Sequence, residues 1–446
     1  MHERTRLAVA RLLFVFCCAV PTFTIASAVL VTFTPWYHNY RRTNWETALS
    51  QRLGVTVKIG RVEFPAPAMI RFRDVVLLQP ETGANVATVH VADWVTIDGE
   101  SAMRLSQPEL QSAMLPFAWR VIHERFLCQP QWTSTPLRVA ADDLTIHSRT
   151  GSMTMRDVDA WLRPVETGVE AMVQCVPADR TDLAAIHISA IRKRTGTQPS
   201  THWFLNTGDI PLLCSTIADY LPGMRKFGSN ATFAGTMRWQ VADAGWTIDL
   251  GGARFDHVDL AELTAGMPHR LTGEAAIKLE RCQIQPGREL DVSGTMISSA
   301  GQVSPSLMIA AKTELNFEIN PDVDRGARDL PYELLAVRFD FFGADMTLEG
   351  ICEKQRGYER LPVGMLIVGS GSGMLAGNAN RQTWVGLART LWPGRHASMP
   401  VSTQTAWLFD ILPPPTLLID HDQGYPLPPR ITSADDFQGT PTIIQP

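Results

Sequence analysis

The feature that most constrains this chain is a long uncharged segment near its N-terminus. No Asp, Glu, Lys or Arg occurs between Arg11 and Arg41, and residues 12–34 read LLFVFCCAVPTFTIASAVLVTFT. As a helix these residues would extend about 34 Å, which exceeds the roughly 30 Å hydrocarbon core of a bilayer. The segment therefore predicts one membrane-spanning helix that is kinked rather than ended by Pro21, with Trp36 at the membrane interface.

The main alternative is a cleaved signal peptide. Residues 26–28 (Ala-Ser-Ala) match a cleavage pattern, and several arginines precede the apolar run. Against cleavage, the run is longer than the apolar core of a usual signal peptide, and residues 29–31 (Val-Leu-Val) stay apolar after the cleavage pattern. We therefore expect an uncleaved anchor.

The orientation of this anchor is not decided by its flanking charges, because each side carries three arginines. A short N-terminal tail most often stays in the cytoplasm, so we expect residues 1–11 there and the bulk of the chain exported from a single-pass inner (plasma) membrane anchor. The arginines are Arg4, Arg6 and Arg11 before the segment, and Arg41, Arg42 and Arg52 after it.

Composition excludes some partners. The formal net charge is -5 over 446 residues, and 19% of the residues are charged. No basic field recommends nucleic acid as a partner. The chain is long enough to bury its own cores without metal or disulfides, and its seven cysteines form no CxxC pair or disulfide framework.

After the anchor, apolar and polar residues alternate in many short segments. This period of two is that of a β-strand with one apolar and one polar face. We therefore predict a mainly β (α+β) fold, in which an elongated, curved antiparallel sheet carries a few packed helices. Examples of the alternation are 55–59 (VTVKI), 237–241 (MRWQV), 246–250 (WTIDL) and 277–279 (IKL).

Helical patterns interrupt the strands. Trp45, Leu49 and Leu53 follow one another at intervals of four residues and precede Gly54, which predicts a helix that ends there. Further helices are expected over 110–127, from an N-cap at Asp209 to Pro222-Gly223, from Ser304-Pro305 onward, and over 383–392.

One short pattern recurs, an apolar residue followed by two polar residues and a valine. We interpret it as strands with local bulges or turns, repeated in a growing sheet. Chance recurrence in a β-rich chain is the open alternative. The three copies are Phe72-Arg-Asp-Val75, Met155-Arg-Asp-Val158 and Phe255-Asp-His-Val258.

Five regions are expected along the chain. They are a cytoplasmic tail (1–11), a transmembrane helix (12–34), two β regions (35–205 and 206–370), and residues 371–446. The run Gly369-Ser-Gly-Ser-Gly373 predicts a flexible joint before a short helix and a proline-rich tail. Past Leu412 we expect no packed structure.

The search for catalytic chemistry gives no site. His123-Glu124 begins like a zinc-protease motif, but Leu127 stands where the second histidine ligand is needed. Asp142 and Asp143 are adjacent, so on a strand they would point to opposite faces. We therefore predict a non-enzymatic protein with no catalytic residue, cofactor or metal.

Twelve tryptophans occur, several of them on predicted strands. They fit either core packing or an apolar surface that accepts acyl chains, and both alternatives require apolar residues on one face. The candidates for lipid contact are Trp239, Trp246, Ile248, Ile277 and Leu279.

The order of these parts resembles the AsmA-like family of bacterial envelope proteins over roughly residues 7–370. An anchor and a short helix are followed by strand 55–64, by Ile70-Arg-Phe-Arg-Asp-Val-Val-Leu77, and by the turn Pro80-Glu-Thr-Gly83. Later segments also resemble that family, namely 245–250 (GWTIDL), 255–260 (FDHVDL), 271–275 (LTGEA) and 290–294 (LDVSG).

The resemblance implies an inner-membrane anchor, a periplasmic β-rich domain and a role in outer-membrane homeostasis. Larger relatives are proposed to carry phospholipid along an apolar groove. Two hypotheses follow. The chain handles phospholipid or another envelope lipid through an apolar β groove, or it is a structural or adaptor ectodomain that reaches protein partners through its proline-rich tail.

Overall fold

The fold was examined in a computed structural model. It describes residues 13–391 except 67, 98–99, 130–132, 134, 149–150, 179–184, 195–198, 219–221, 243–244, 286–288, 322–328 and 378. The predicted cytoplasmic tail and the proline-rich tail lie outside the described residues. Within them, 21 strands join one sheet, which confirms the mainly β fold.

The strands follow one another along the chain with short connections. They are β1 (Thr56–Ala66), β2 (Met69–Leu78), β3 (Asn85–Ile97), β4 (Glu100–Gln111), β5 (Leu137–Ser148), β6 (Gly151–Val165), β7 (Gly168–Pro177), β8 (Ile186–Lys193), β9 (Ser200–Leu213), β10 (Thr232–Ala242), β11 (Gly245–Asp249), β12 (Arg254–Asp259), β13 (Leu271–Gln285), β14 (Glu289–Val303), β15 (Glu318–Ile319), β16 (Leu330–Tyr332), β17 (Leu334–Phe342), β18 (Asp345–Gly350), β19 (Met365–Gly369), β20 (Ser372–Ala376) and β21 (Gln382–Thr383).

The α-helices are mostly short. They are α1 (Val20–Thr32), α2 (Pro35–Leu53), α3 (Leu115–Val121), α4 (Cys214–Ile217), α5 (Leu260–Leu263), α6 (Pro305–Leu315) and α7 (Trp384–Leu391). The π segments Val15–Ala19 and Ile122–Leu127 precede α1 and continue α3, and 3₁₀ turns occur at Ser112–Met114, Pro222–Phe227 and Cys352–Lys354.

Strands that are consecutive in sequence are mostly neighbours in the sheet. Pairing is antiparallel from β1 to β4 and again from β5 through β14 and β17. β4 and β5 are instead parallel, with Leu105 opposite Ala141. The prediction of a mostly antiparallel sheet is confirmed, and this pair departs from it because α3 carries the chain back to the starting end of β4 before β5 begins.

The N-terminal helix is long and apolar enough to cross a membrane over Val15–Thr32. It continues past Pro21, as predicted, and it is distorted just before this residue. The Val20 N–H donates to the Val15 carbonyl, five residues back. A π turn here accommodates the ring of Pro21, which has no N–H to give.

Several other helix predictions are confirmed. Helix α2 ends at Gly54, whose φ of 72° is left-handed, and α6 follows Ser304 with proline in its first turn. Helix α7 lies within the predicted 383–392. The N-cap at Asp209 was wrong: Asp209 lies inside β9, because pairing of this segment with β10, as in Leu212 opposite Phe233, outweighs its local capping preference.

The predicted flexible joint at Gly369–Gly373 was also wrong. These residues form the tight turn between β19 and β20, with left-handed φ values of 50° at Ser370 and 73° at Gly371. Val368 and Leu375 beside the turn are buried. Small residues occur here because the turn and the close pairing of the two strands require them.

The expected boundary between 205 and 206 falls inside β9. Over residues 200–206 this strand pairs with β8 on one side and β10 on the other, and towards Leu213 it continues beside β10. The two expected β regions are therefore parts of one continuous sheet.

The recurring four-residue pattern marks local irregularities of the strands, as predicted. Its third residue is left-handed in every copy, at Asp74, Asp157 and His257, with φ between 51° and 59°. The pairing register shifts at the second and third copies. A left-handed residue shifts the alternation of side chains, so the apolar residues at the first and fourth positions are both buried on the same face.

The same arrangement crosses the first six strands as a crease. On each strand, two apolar residues separated by two others face the same side, and these pairs lie opposite one another from strand to strand. The crease keeps one apolar face continuous while bending the strands. The pairs are Ile59 with Val62, Phe72 with Val75, Val89 with Ala92, Leu105 with Pro108, Ala141 with Leu144, and Met155 with Val158.

Helices cover the apolar side of the sheet at its first strands and at its last strands. At the first end, Trp45, Leu49 and Leu53 of α2 pack on β1 to β3. At the last end, α6 and α7 pack against β16 to β20 around Met308 and Leu315. The core between these ends is formed mainly by the strands themselves, and it runs from β5 to β14.

Candidate functional site

The outer face of the sheet carries cross-strand ion pairs. Arg71 and Asp93 are direct neighbours on β2 and β3, with 2.7 Å between Nε and Oδ1. Such exposed pairs contribute little stability, about 0–1 kcal/mol each, but they mark the solvated face. Further pairs on strands are Arg138 with Asp159, Arg163 with Glu170, Arg238 with Asp249, Arg254 with Asp256, and Arg281 with Asp291 and Asp340.

The opposite side of the same strands is apolar. We call the part on β10 to β17 the apolar face. It is a single surface because strand register aligns its members, for example Met296 opposite both Ile277 and Val337. Its members are Met237, Trp239, Val241, Trp246, Ile248, Ile277, Leu279, Cys282, Ile284, Val292, Met296, Phe339 and Phe341.

All five residues predicted to contact lipid lie on the apolar face. Trp239 on β10 is opposite Ile248 on β11, and Trp246 is opposite Val241. Ile248 in turn lies opposite Ile284 on β13. Ile277 and Leu279 are two residues apart on β13 and belong to the same apolar cluster as Ile248.

The five candidates differ in accessibility. Leu279 is only 7% exposed, so it is a core residue that supports the surface. Trp239, Trp246, Ile248 and Ile277 are half-buried and can be reached from one side. The structure therefore brings four accessible candidates and one supporting residue together.

A row of three tryptophans marks the strand at which the cover of the sheet by α3 ends. Trp119 of α3 packs on Trp203 of β9, with 3.6 Å between ring centroids, and Trp203 stacks against Trp239 of β10 at 6.3 Å. Helix α3 thus covers the sheet up to β9. Sequence reasoning missed Trp119, although it lies within the helix predicted for 110–127.

The cover at α3 is fixed by a buried polar contact. His123 Nε2 lies 3.0 Å from Thr201 Oγ1, and Cys128 Sγ lies 3.7 Å from His123 Nδ1. Burial, and secondarily the charge of Arg192, lowers the pKa of His123 to about 4. The imidazole is therefore neutral at physiological pH and serves to hold α3 against β9.

Short helices pack against one end of strands β9 to β13, the end near Phe233 and Phe255. Phe227 of the 3₁₀ turn packs edge-on against Phe255, with 5.1 Å between centroids, and Phe255 contacts Phe233. Leu260 of α5 is fully buried beside them. These packed side chains therefore block the apolar face at this end, and a ligand could not extend past them.

The middle of the apolar face has no comparable cover. Among the described residues, no helix backbone runs close along β10, β11 or β14, although Val303 and Met296 of β14 pack in the core under α6. Trp239, Trp246, Ile248 and Met296 on these strands are nevertheless half-buried, because neighbouring apolar side chains pack around them. The result is an apolar strip of half-buried side chains, with ion pairs such as Arg238 with Asp249 and Arg281 with Asp291 on the other face of the same strands.

The titratable groups of this region do not form a reactive centre. Burial raises the pKa of Cys175 and Cys282 to about 11 and that of Cys214 to about 12, so these thiols stay protonated. Within the described residues, His, Cys, Asp and Glu form no group of three or more that could hold a metal ion. What the arrangement offers chemically is apolar surface.

Together, the fold and the apolar face define a class of protein, a mainly β chain with an N-terminal helix able to span a membrane and a single long sheet with one apolar side. Comparisons with protein-family models, curated proteins and solved structures give no match to this chain. The AsmA-like resemblance therefore stays a prediction from its motifs.

Proposed function

We propose that this chain is a non-enzymatic, membrane-anchored envelope protein that handles phospholipid or another envelope lipid on its apolar face. One observation carries the proposal: the apolar side chains on β10, β11 and β14 stay partly exposed with no described helix backbone running close along them, while the outer face of the same strands carries ion pairs. An acyl chain would remove this strip from water.

The energetics favour an acyl chain as the ligand. Burial of each methylene contributes about 0.8 kcal/mol. From β10 through β11, β13 and β14 to β17 the apolar face crosses four strand spacings, or about 19 Å. A lipid tail laid across the strands could therefore bury most of its length against Trp239, Ile248, Ile284 and Phe339, while its headgroup stays in water.

The proposed location is the inner membrane with the sheet in the periplasm and residues 1–11 in the cytoplasm. The apolar helix Val15–Thr32, none of whose described side chains is buried in the isolated chain, supports an anchor. The side of the membrane and a role in outer-membrane homeostasis rest on the AsmA-like resemblance. An anchored sheet could receive lipid from the bilayer beside it.

Site-specific photocrosslinking of the full chain in cell membranes tests the lipid proposal. A photoreactive residue in place of Trp239 or Ile277 should yield lipid adducts, because both side chains belong to the apolar face. Matched controls are Arg238 and Lys278, the next residues on the same strands, whose side chains point to the outer face. Equal adduct yields at all four positions, or no lipid co-purifying with the chain, would count against lipid handling.

The second candidate is a structural or adaptor ectodomain. The observation in its favour is the closed core under α6 and α7, which gives residues 392–446 a firm starting point for a tether. Deletion of residues 412–446 separates the candidates. An adaptor that works through the proline-rich tail loses its function in cells, whereas lipid handling by the sheet changes little.

A further inference from the structure

The first hairpin of the sheet is held beside the membrane end of α2. The Arg41 guanidinium lies over the ring of Phe64 on β1, with 3.9 Å between Cζ and the ring centroid, and it also faces Tyr37 at 5.4 Å. Between Pro35 and Arg41 the helix rises only about 9 Å. The hairpin tip is thus tied to the chain within two helical turns of the spanning segment.

The described residues at the tip, from Phe64 to Ala66 and at Ala68, are apolar and exposed. Residues 64–70 read FPAPAMI and carry no charge. Phe64 is 43% exposed and belongs to none of the apolar clusters of the sheet, although Val62, two residues before it on the same face, packs in the first core. An exposed, uncharged hairpin tip would be a liability in water, but it suits a membrane interface.

Other aromatic rings lie, like Phe64, near the membrane end of α2. Trp36 is 70% exposed and stacks on Tyr40, itself 56% exposed, with 5.9 Å between centroids. On α2 these rings lie on the side away from Trp45, Leu49 and Leu53, which pack on the sheet. Rings of Trp36, Tyr40 and Phe64 therefore surround the base of α2, in the arrangement of an aromatic interface belt.

From this geometry we propose that the tip of the β1–β2 hairpin, through Phe64, inserts into the headgroup layer of the same bilayer that α1 spans. The layer is about 5–8 Å thick on each side, and Arg41 can reach lipid phosphate while its guanidinium stacks on Phe64. The contact gives the sheet a second fixed point on the membrane and sets the end of the apolar surface of β1 to β4 against lipid. The inference rests on the proposed anchor.

The test uses the full chain in vesicles of phosphatidylethanolamine and phosphatidylglycerol. A photoreactive p-benzoylphenylalanine is placed at Phe64, at Trp36 as a positive control, or at Thr82, in the turn at the opposite end of β2. Phe64 should give phospholipid adducts at a yield close to that of Trp36 and about tenfold above that of Thr82, because only the first two lie at the interface.

A second measurement separates insertion from chance proximity. With the probe at Met69, which pairs with Ala66 across the tip, Phe64→Asp should remove most lipid adducts, while Phe64→Leu should keep them. Adducts at Trp36 with none at Phe64 overturn the hairpin contact and leave the anchor standing. No adducts at either position overturn the anchor and the hairpin contact together, whatever the photocrosslinking of Trp239 shows.

Discussion

At the scale of single residues, the left-handed positions of the recurring four-residue pattern carry most of the local design. Asp74, Asp157 and His257 adopt a conformation that costs L-residues about 1–2 kcal/mol and that Asp and Asn tolerate best. Each lets two apolar neighbours three positions apart face the core. The polar pair inside each four-residue pattern is thus a conformational requirement of the bend.

Asp157→Val should destabilise the chain by roughly 1–2 kcal/mol, because a β-branched residue is strained at a φ of 51°. Asp157 is exposed, so little packing changes. Urea unfolding of the full chain in detergent, followed by tryptophan fluorescence, measures the effect. Asp157→Gly is the matched control and should be nearly neutral; an equal loss in both variants would show that the aspartate side chain itself is what matters.

His123 should make the fold sensitive to acid. Its pKa of about 4 in the folded chain is below the ordinary value of 6.5, first because burial disfavours the charged imidazole and second because the cationic Arg192 repels it. The folded state therefore binds the proton more weakly than the unfolded state. Stability is full above about pH 6.5 and falls as the pH drops towards 4, by up to about 3 kcal/mol.

The measurement is the urea midpoint of the full chain at several pH values between 7 and 4. His123→Gln keeps an amide near Thr201 but cannot titrate, so its midpoint should change less over this range. If the wild-type chain and the variant lose stability in parallel, other groups cause the acid sensitivity.

At the scale of elements, α2 covers apolar surface and also protects the edge of the sheet. The β1 amides of Val57 and Ile59 donate to Ser50 Oγ and Glu46 Oε1 of α2, each at 2.9 Å. These N–H groups would otherwise be available to a strand of another molecule. A single helix thus links the apolar N-terminal helix to β1 and blocks the first edge.

Glu46→Ala with Ser50→Ala should destabilise the chain by about 1–3 kcal/mol, because two edge amides lose their acceptors. The freed edge should also promote self-association. Unfolding measurements and the concentration dependence of molar mass in detergent test both effects. Thr47→Ala is the control, since the Thr47 hydroxyl bonds only within the helix, to the Thr43 carbonyl; self-association of that variant would rule out the edge explanation.

Elements also show why some sequence predictions were wrong. The glycine-rich run at 369–373 has the composition of a linker, yet buried neighbours such as Val368 fix it as a hairpin turn. Asp209 has the chemistry of an N-cap, yet pairing with β10 keeps it in a strand. In both cases local preference is worth less than the tertiary contacts of the flanking residues.

At the scale of the whole molecule, the sheet is continuous across the region where two domains were expected. β9 is hydrogen-bonded on both sides, to β8 and β10. We expect slow amide hydrogen exchange over residues 200–206, as in β5 and β6, because opening this part of β9 requires breaking both pairings. The exposed turn residue Gly266 should exchange quickly and serves as the internal reference; fast exchange around 205–206 would instead indicate a hinge there.

The amino-acid sequence by itself determined the N-terminal apolar helix and the two faces of the strands. An uncharged apolar segment of sufficient length specifies a helix able to span a membrane, and a period of two specifies strands with one apolar and one polar face. These signals are local, so the faces of Trp239, Ile248 and Ile277 followed from the sequence.

Only the tertiary structure decided what lies over those faces. Cover by α2, α3, α6 and α7 depends on contacts between residues far apart in the chain, such as Trp119 with Trp203. The parallel pairing of β4 with β5 and the alignment of the crease depend equally on which strands meet. Apolar residues on one face satisfy a closed core and an open surface alike, and packing alone separates the buried Leu279 from the accessible strip on β10, β11 and β14.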